Sequence, residues 1–270
     1  MDVSGTYALR LSEVEVGRYR VMAEMARASE SDLWRRAGVV PGARVADVGC
    51  GPGAVLALLG EEVGPDGSAT GVDADADAVA TARAYTAALP QVTLLRAPAN
   101  ATGLEPGSLD TVMVRHVLAH NGPREREIVA HLAGLLRPGG CLYLVDAAHS
   151  TMATEPEVDG PLADLARRYV AFHAARGNDL RTGLRLDRLL RGAGLEVEAY
   201  EGRTTILAMP AGSRPPAWAA RDALVDAGFA TADDLATWAA AFERADAATE
   251  RPTLFAPMFL AYGRRPGNPG

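Results

Sequence analysis

The chain has no lysine, since all 27 of its basic side chains are arginines. This absence excludes mechanisms that require a lysine amine, such as phosphate binding by a Walker P-loop or Schiff-base catalysis. Any proton removal by the protein must then be assigned to a histidine, a tyrosine or a carboxylate.

Positive charge is also scarce and scattered. The 270 residues carry a net charge of −7 with a pI near 5.3, and no run of arginines is longer than two. Nucleic-acid binding relies on a basic surface, so we expect no nucleic-acid partner. An 18-residue apolar run and an apolar N-terminal segment are missing too, which predicts a cytoplasmic protein without a membrane contact.

Cysteine is limited to Cys50 and Cys141, each beside glycine at the edge of a predicted strand and without CxxC spacing. A reducing compartment would keep both as thiols, so we predict neither a disulfide nor a structural zinc.

Apolar residues make up 48% of the chain, which is enough for a substantial core. Helical spacing of apolar residues over 7–38 predicts two amphipathic helices that cap the fold. From residue 43, short β-branched runs alternate with alanine-rich stretches, which indicates βα units around a mostly parallel sheet. Strands are predicted at 44–48, 69–73, 92–96, 110–115 and 141–146, with helices at 54–62, 76–88 and 123–136. Later segments predict helices within 161–193 and 217–248, and strands at 196–209 and 255–263.

A strand that runs into a glycine loop and then a helix is the most informative motif, and it contains Asp47, Gly49, Gly51 and Gly53. Glycines let the backbone approach a ligand closely, and the helix N–H groups then face that ligand. With Ala54 the motif also satisfies the dinucleotide pattern G-x-G-x-x-A, so an NAD(P)-dependent oxidoreductase is one interpretation. Against it, the Asp47 carboxylate would repel a pyrophosphate and suits a cationic ligand.

Four segments in order resemble the class I S-adenosylmethionine-dependent methyltransferases, in particular the small-molecule branch of the ubiquinone/menaquinone-biosynthesis type. They are the D-x-G-x-G-x-G run at 47–53, Asp73, LDTVMVRHVLAH at 109–120 and LRPGG at 136–140. The resemblance covers roughly residues 40–150. It implies a Rossmann-like α/β fold with a doubly wound, seven-stranded, mostly parallel sheet whose last two strands are antiparallel neighbours.

The resemblance also implies a division of the chain and a cofactor, S-adenosyl-L-methionine. Residues 1–40 would form an N-terminal helical lid, residues 41–150 the cofactor-binding core, and residues 151–270 the substrate-side helices and last strands of the same domain. Asp47 and the glycine loop would hold the methionine part of the cofactor, and Asp73 would bind its ribose hydroxyls.

Further contacts to the cofactor are expected at four residues. Ala74 would lie against the adenine, and the backbone of Arg115 would border the methionine end. After the third strand the chain departs from the family, because Pro98-Ala99 replaces the usual Asp-Ala pair. Asn100 would then supply an oxygen and Ala99 a backbone N–H to the adenine, or the backbone alone would hold it.

The methyl acceptor should bind beyond the carboxyl ends of the strands, as ligands do in open α/β sheets. The candidates for catalysis are His116, His149, Tyr169 and His173. The candidates for substrate binding are Tyr7, Tyr19, His120, Phe172, Arg176 and Asn178, with a packing role as the alternative for His120. His116 and His120 have metal-ligand spacing, but no further ligand accompanies them and no metal is expected. His131, Trp218, Trp238 and Phe242 are expected to be packing residues, with His131 otherwise at the surface.

The sequence therefore predicts a methyltransferase that acts on a small molecule. A natural-product or aromatic acceptor, including an indole-containing one, is favoured because the composition resembles that of actinobacterial natural-product enzymes. The alternatives are the oxidoreductase and a cofactor-binding protein of the same fold that transfers no methyl group. A homodimer is one possible assembly.

Overall fold

The computed structural model describes residues 13–158 and 160–267, and the predicted substrate residue Tyr7 lies outside them. The strands are β1 (Arg44–Val48), β2 (Ser68–Asp73), β3 (Val92–Arg96), β4 (Leu109–Arg115), β5 (Leu136–Ala147), β6 (Ala153–Glu155), β7 (Glu196–Ala208) and β8 (Thr253–Arg264). The helices are α1 (Glu13–Arg36), α2 (Ala54–Val63), α3 (Ala76–Tyr85), α4 (Glu125–Leu135), α5 (Pro161–Ala175), α6 (Leu186–Gly192), α7 (Pro216–Ala219), α8 (Arg221–Asp226) and α9 (Ala232–Ala247).

The seven longer strands lie in the order β3-β2-β1-β4-β5-β8-β7. β1 to β5 pair in parallel, whereas β8 runs antiparallel to both β5 and β7. The predicted α/β fold and the antiparallel pairing of its last two strands are therefore confirmed. Within the described residues the sheet also has an eighth strand, the three-residue β6, which pairs with β8 where β8 extends past β5.

Burial explains which strands form the centre of the sheet. β1, β4 and β5 are buried on both faces, and their long apolar runs match the central strands of a sheet with helices on both sides. β7 alternates between exposed and half-buried residues along its whole length, as an edge strand with one packed face does.

The N-terminal segment forms one continuous helix, α1, over its described part, where two helices were predicted. No proline interrupts residues 13–36, so the helical hydrogen bonds continue through the segment. Leu33 and Trp34 are each 1% exposed and belong to the core beneath the sheet, so the second half of α1 does more than cap the fold. The first half leaves Val21 and Met25 exposed.

The helices inserted after β6 and β7 have a hydrophobic core of their own. Trp238 and Phe242 of α9 are buried there against α5, α7 and α8, as predicted, and Trp218 is half-buried against the Phe242 ring. Ring contacts connect α5 to the segments that follow β4 and β5. The inserted helices therefore lie beside the carboxyl ends of the central strands. No helix within residues 13–158 and 160–267 is both long and apolar enough to cross a membrane.

Candidate cofactor and acceptor site

The glycine loop forms an open cradle at the carboxyl end of β1. The N–H groups of Gly49 and Cys50 donate to the Val72 carbonyl at 2.7 and 3.1 Å, which holds the loop against β2. Gly49 has a φ of +79°, and a Cβ there would lie 2.2 Å from Val117 Cγ2. Gly51 has a φ of +52° and open space, with Tyr19 Cε1 4.0 Å from a Cβ built on it. The loop is therefore packed on the Gly49 side and open towards α1.

Asp73 is fixed at the rim of this cradle by two backbone donors. Its carboxylate accepts the N–H of Gly51 at 2.8 Å and the N–H of Asp75 at 3.0 Å. A carboxylate offers about four lone-pair positions, so hydroxyl groups of a ligand still find acceptors there. Ala74 is exposed beside it, and its carbonyl accepts a hydrogen bond from Arg96.

Asp47 is 2% exposed, and none of the described residues donates a hydrogen bond to its carboxylate. Burial raises the pKa of Asp47 to about 7; the Arg115 charge opposes this shift, and the Asp73 charge adds to it. The Arg115 guanidinium is already engaged, because it donates to both oxygens of Glu30, at 2.5 and 3.1 Å. A positively charged ligand in the cradle would therefore stabilise the ionised form of Asp47.

Glu30 is a buried charge that the sequence interpretation missed. Besides Arg115, it accepts hydrogen bonds from Tyr143 Oη at 3.0 Å and Trp34 Nε1 at 3.3 Å. The sequence does carry a sign of this burial, because Glu30 lies one helical turn from both Ala26 and Trp34, which are on the buried face of α1. A glutamate in an apolar stripe is rarely buried without partners. The Arg115 side chain therefore binds α1, while its predicted contact with the cofactor concerned only the backbone.

The loop after β3 carries the predicted adenine contacts. Pro98 and Ala101 form a turn, and Asn100 Nδ2 donates to Glu127 at 2.8 Å, which leaves Asn100 Oδ1 as the end that an adenine amino group would meet. Ala99 is half-buried in the same turn. His131 Nε2 lies 3.1 Å from the Thr102 N–H and 2.9 Å from its hydroxyl, so this histidine anchors the loop.

Two polar residues mark the carboxyl ends of β4 and β5. Among the described residues, His116 is the one non-glycine residue with a positive φ, +57°, and its N–H donates to the Val145 carbonyl. Its Nδ1 lies 4.0 Å from Asp146 Oδ1. Burial, and then the charges of Arg115, His120 and Arg18, lower the pKa of His116 to about 3, so its ring is neutral at pH 7.

Asp146 was not predicted as a site residue, although it ends a strand as Asp47 and Asp73 do. It is 2% exposed, and it accepts the N–H groups of Ala119 and Ala147, both at 3.0 Å. Burial raises its pKa to about 7. Asp146 therefore joins the turn after β4 to β5 and places a carboxylate beside His116.

Four of the predicted acceptor-site rings cluster on α5 and the facing turns. The Tyr169 and His173 ring centroids are 4.5 Å apart, with His120 at 4.8 Å from His173 and His149 at 6.5 Å from Tyr169. Burial raises the pKa of Tyr169 to about 12, with opposing effects from Arg18 and Tyr19 of α1. These electrostatic interactions place the first half of α1 close to α5.

The remaining predicted substrate residues divide into two groups. Asn178 lies 3.2 Å from His173 and belongs to the cluster. Phe172 is 1% exposed in the core of the inserted helices, against Phe229. Arg176 is exposed, with its Cζ 3.5 Å from the Phe172 ring centroid.

A sheet in this strand order, with a buried acid before a glycine loop and a second acid after β2, defines the class I S-adenosylmethionine-dependent methyltransferase fold. Comparisons with known proteins agree: residues 45–140 match the family model described as "Methyltransferase domain". An uncharacterized 37.1 kDa protein in transposon TN4556 of Streptomyces fradiae is 30% identical over 186 residues, which are 68% of this chain and 52% of that protein.

Demethylmenaquinone methyltransferase of Lactococcus lactis is 30% identical over 130 residues, 46% of this chain and 51% of that enzyme. The chain thus spans about half the length of the curated relatives that it matches. A SAM dependent methyltransferase from Aquifex aeolicus has a similar structure, and the match covers 92% of this chain and 97% of that chain with a TM-score of 0.53. At 14% sequence identity, this similarity shows the fold alone. Residues 45–140 of the chain thus form a methyltransferase domain of the class I S-adenosylmethionine-dependent family.

The residues present fit S-adenosylmethionine. This cofactor carries positive charge on its ammonium and sulfonium groups, and the site offers the unpartnered Asp47 carboxylate, the open cradle at Gly51 and the Asp73 acceptor. The oxidoreductase alternative is not supported. Dinucleotide-binding sheets of this type have the parallel order 3-2-1-4-5-6, whereas here the antiparallel β8 lies between β5 and β7.

Proposed function

We propose that the chain transfers the methyl group of S-adenosylmethionine to a small aromatic molecule, of the natural-product kind and including indole-containing acceptors. The observation that carries this proposal is the ring cluster of His120, His149, Tyr169 and His173 at the carboxyl ends of β4 and β5. Flat aromatic ligands pack well against such rings, in stacked or edge-on arrangements.

The chemistry that this cofactor supplies when bound is a methyl group already activated on a sulfonium. The protein has to align the acceptor, exclude water and, where the acceptor loses a proton, receive that proton. His116 is placed to receive it, because its ring is neutral and the cation it would form lies beside the Asp146 carboxylate. Its lowered pKa makes it a weak base, so it would take the proton from an acceptor that methylation has made cationic and strongly acidic. Tyr169, with a pKa raised to about 12, stays protonated and serves as a hydrogen-bond donor.

Residues 1–40 are proposed as the lid over this site, residues 41–150 as the cofactor-binding core, and residues 151–270 as the acceptor side. Two observations on α1 support the lid. Tyr19 lies at the open side of the glycine loop, and Arg18 interacts electrostatically with both His116 and Tyr169. Closure of such an element excludes water from the reaction.

Calorimetric titration with S-adenosylhomocysteine and with NAD tests the cofactor assignment. We expect saturable binding of S-adenosylhomocysteine and none of NAD; the absence of S-adenosylhomocysteine binding would overturn the proposal. Incubation with S-adenosylmethionine and a panel of phenols, indoles and cyclic dipeptides should then form S-adenosylhomocysteine. Binding without product from any aromatic acceptor would favour the protein of the same fold that transfers no methyl group.

The role of His116 is tested by His116→Gln. Loss of a general base reduces turnover by about 10²- to 10⁴-fold. The variant should nevertheless bind S-adenosylhomocysteine as the unmodified protein does, because no contact to the cofactor is assigned to this side chain. Equal losses of turnover and cofactor affinity would assign His116 to the architecture of the turn.

A further inference from the structure

The imidazole of His173 is buried and keeps one ring nitrogen without a partner. The residue is 4% exposed, and its Nε2 has no hydrogen-bond partner among the described residues. The other nitrogen, Nδ1, lies 3.2 Å from Asn178 Nδ2. Buried polar atoms in native proteins are nearly always paired, so Nε2 requires a partner that the described residues do not supply.

Neighbouring contacts determine which ring nitrogen carries the proton. The backbone N–H of Gly122 donates to Asn178 Oδ1 at 3.3 Å, which fixes the orientation of the amide. The amide NH₂ then faces His173 and donates to Nδ1, so Nδ1 is an acceptor. In a neutral imidazole the proton must accordingly be on Nε2.

The ring is neutral at physiological pH. Burial lowers the pKa of His173 to about 3, and the charges of His120, Arg176 and His149 act in the same direction. Nε2–H is thus a donor that lacks an acceptor, and its ring stands edge-on to Tyr169 at 4.5 Å and tilted against His120 at 4.8 Å. A ligand that fills this place must combine a flat apolar body with an oxygen that accepts a hydrogen bond.

We propose that His173 Nε2–H donates a hydrogen bond to a carbonyl or phenolate oxygen of the methyl acceptor, and that Asn178 is the positioning residue that sets this tautomer. His173 would then bind and orient the substrate, in place of the base that the sequence predicted. The inference rests on the proposed function, since it names the chemical class that the same site accepts.

The first experiment reads the tautomer directly. In protein labelled with ¹⁵N-histidine, we expect the His173 signals, assigned by their loss in His173→Phe, to show a protonated Nε2 and an unprotonated Nδ1 at pH 7. In Asn178→Asp the carboxylate accepts from both Gly122 and the ring, so a proton should move onto Nδ1. A protonated Nδ1 in the unmodified protein would overturn the proposal, whatever the stability of the variants.

The second experiment compares two probes that differ in one group, 1-indanone with a carbonyl and indane with a methylene. One added neutral hydrogen bond predicts about fivefold tighter binding of 1-indanone, as measured by titration calorimetry in the unmodified protein and in His173→Phe alike. In His173→Phe the two probes should bind equally. Equal affinities in the unmodified protein would contradict the proposal.

The two probes also separate this inference from the proposed function. If S-adenosylhomocysteine binds while 1-indanone shows no preference, only the assignment of His173 fails. If S-adenosylhomocysteine does not bind, the methyl-transfer proposal fails, whereas the tautomer and the preference for the carbonyl probe remain measurable without any cofactor.

Discussion

At the scale of single residues, Asp47 links the charge of the site to the charge of its ligand. Its carboxylate is buried without a donor among the described residues, and its pKa is raised to about 7. At neutral pH the protein without ligand is therefore a mixture of molecules with Asp47 ionised and neutral. A ligand with a cationic group at this place binds the ionised form better. Binding of S-adenosylmethionine, or of S-adenosylhomocysteine through the ammonium group that it retains, is therefore linked to the release of a proton.

This linkage predicts a pH-dependent affinity. Between pH 6 and pH 8 the ionised fraction of Asp47 rises about tenfold, and the affinity for S-adenosylhomocysteine should rise by a similar factor. Asp47→Asn should bind about 10- to 100-fold more weakly at pH 8, because a charge-assisted contact is lost, and should show no such slope. Titration calorimetry at several pH values measures both.

Asp146→Asn is the matched control for this experiment. Asp146 also has a pKa raised to about 7 by burial, but it lies after β5 and accepts two backbone N–H groups. Its variant should keep the pH slope. If the slope disappears in Asp146→Asn and persists in Asp47→Asn, the assignment of the cationic ligand to Asp47 is wrong.

The two glycines at the start of the cradle should respond differently to a methyl group. In Gly49→Ala the new Cβ would overlap Val117, and this overpacking should destabilise the protein by about 1–3 kcal/mol on top of the cost of its left-handed φ of +79°. In Gly51→Ala the Cβ enters open space, so the left-handed conformation costs only about 1–2 kcal/mol.

For Gly51, the substitution should affect ligand binding more than it affects the stability of the protein. Its added methyl group fills the face that a ligand would occupy, so Gly51→Ala should lose S-adenosylhomocysteine binding, while its urea midpoint falls only by what the loss of about 1–2 kcal/mol accounts for. Unchanged affinity in Gly51→Ala would place the ligand elsewhere on the loop.

Local motifs explain which site residues the sequence could predict. Asp47 and the glycines form one continuous segment, and Asp73 ends the next strand, so their spacing alone indicates a cofactor loop. Glu30 and Arg115 are 85 positions apart, and their pairing depends on how α1 packs beneath the sheet. The tautomer of His173 likewise depends on the backbone N–H of Gly122, which the folded chain brings against Asn178.

At the scale of elements, α1 is attached to the sheet by a buried ion pair. Arg115 and Glu30 have side chains that are 12% and 5% exposed, and Tyr143 and Trp34 donate to the same carboxylate. The second half of α1 is thereby fixed under the sheet. Its first half, with Tyr19, extends towards the glycine loop and α5.

Removal of one charge from this pair should be more harmful than removal of both. Glu30→Gln keeps an acceptor for Tyr143 and Trp34 but leaves the Arg115 guanidinium buried without its anion, a change that costs about 3–5 kcal/mol. The double variant Glu30→Gln/Arg115→Met removes the unpaired charge and should be more stable than Glu30→Gln. Urea unfolding of the four proteins of the cycle gives the coupling; additive losses would contradict a coupled pair.

The same scale shows why some elements were predicted well and others were not. β1 and β3 have the predicted bounds, because β-branched runs between glycines, prolines and polar residues define short strands, whether central and buried as β1 or at the half-exposed edge as β3. The three-residue β6 has no such pattern and exists because β8 extends past β5. Two helices were expected in place of α1, since apolar spacing alone does not reveal that a helix continues under a sheet.

At the scale of the whole molecule, the fold concentrates buried titratable groups around one end of the sheet. Asp47 and Asp146 lie buried at the carboxyl ends of β1 and β5, His116 lies half-buried just beyond β4, and His173 lies buried on α5 beside His120. Burial favours the neutral form of every one of these groups. The acids and the histidines therefore shift the stability of the protein in opposite directions as the pH changes.

These shifts predict a maximum of stability near pH 6.5. His116, His120 and His173 have pKa values lowered to about 3, 4 and 3, so the unfolded chain binds more protons there and stability rises with pH up to about 6.5. Asp47 and Asp146 have pKa values raised to about 7, so their contribution is lost as the pH rises from about 4 through 7.

Burial also lowers the pKa values of His131 and His149, so five histidines oppose two acids below that maximum. Above it only the acids still titrate, so Tm should rise and then fall in scans between pH 4 and pH 9. Asp47→Asn should flatten the alkaline side, because the amide carries no charge at any pH. Saturating S-adenosylhomocysteine should flatten the same side in the unmodified protein, since the ligand stabilises the ionised carboxylate. A Tm that rises steadily to pH 8 would contradict the prediction, because ionisation of Asp47 and Asp146 would then not destabilise the ligand-free protein.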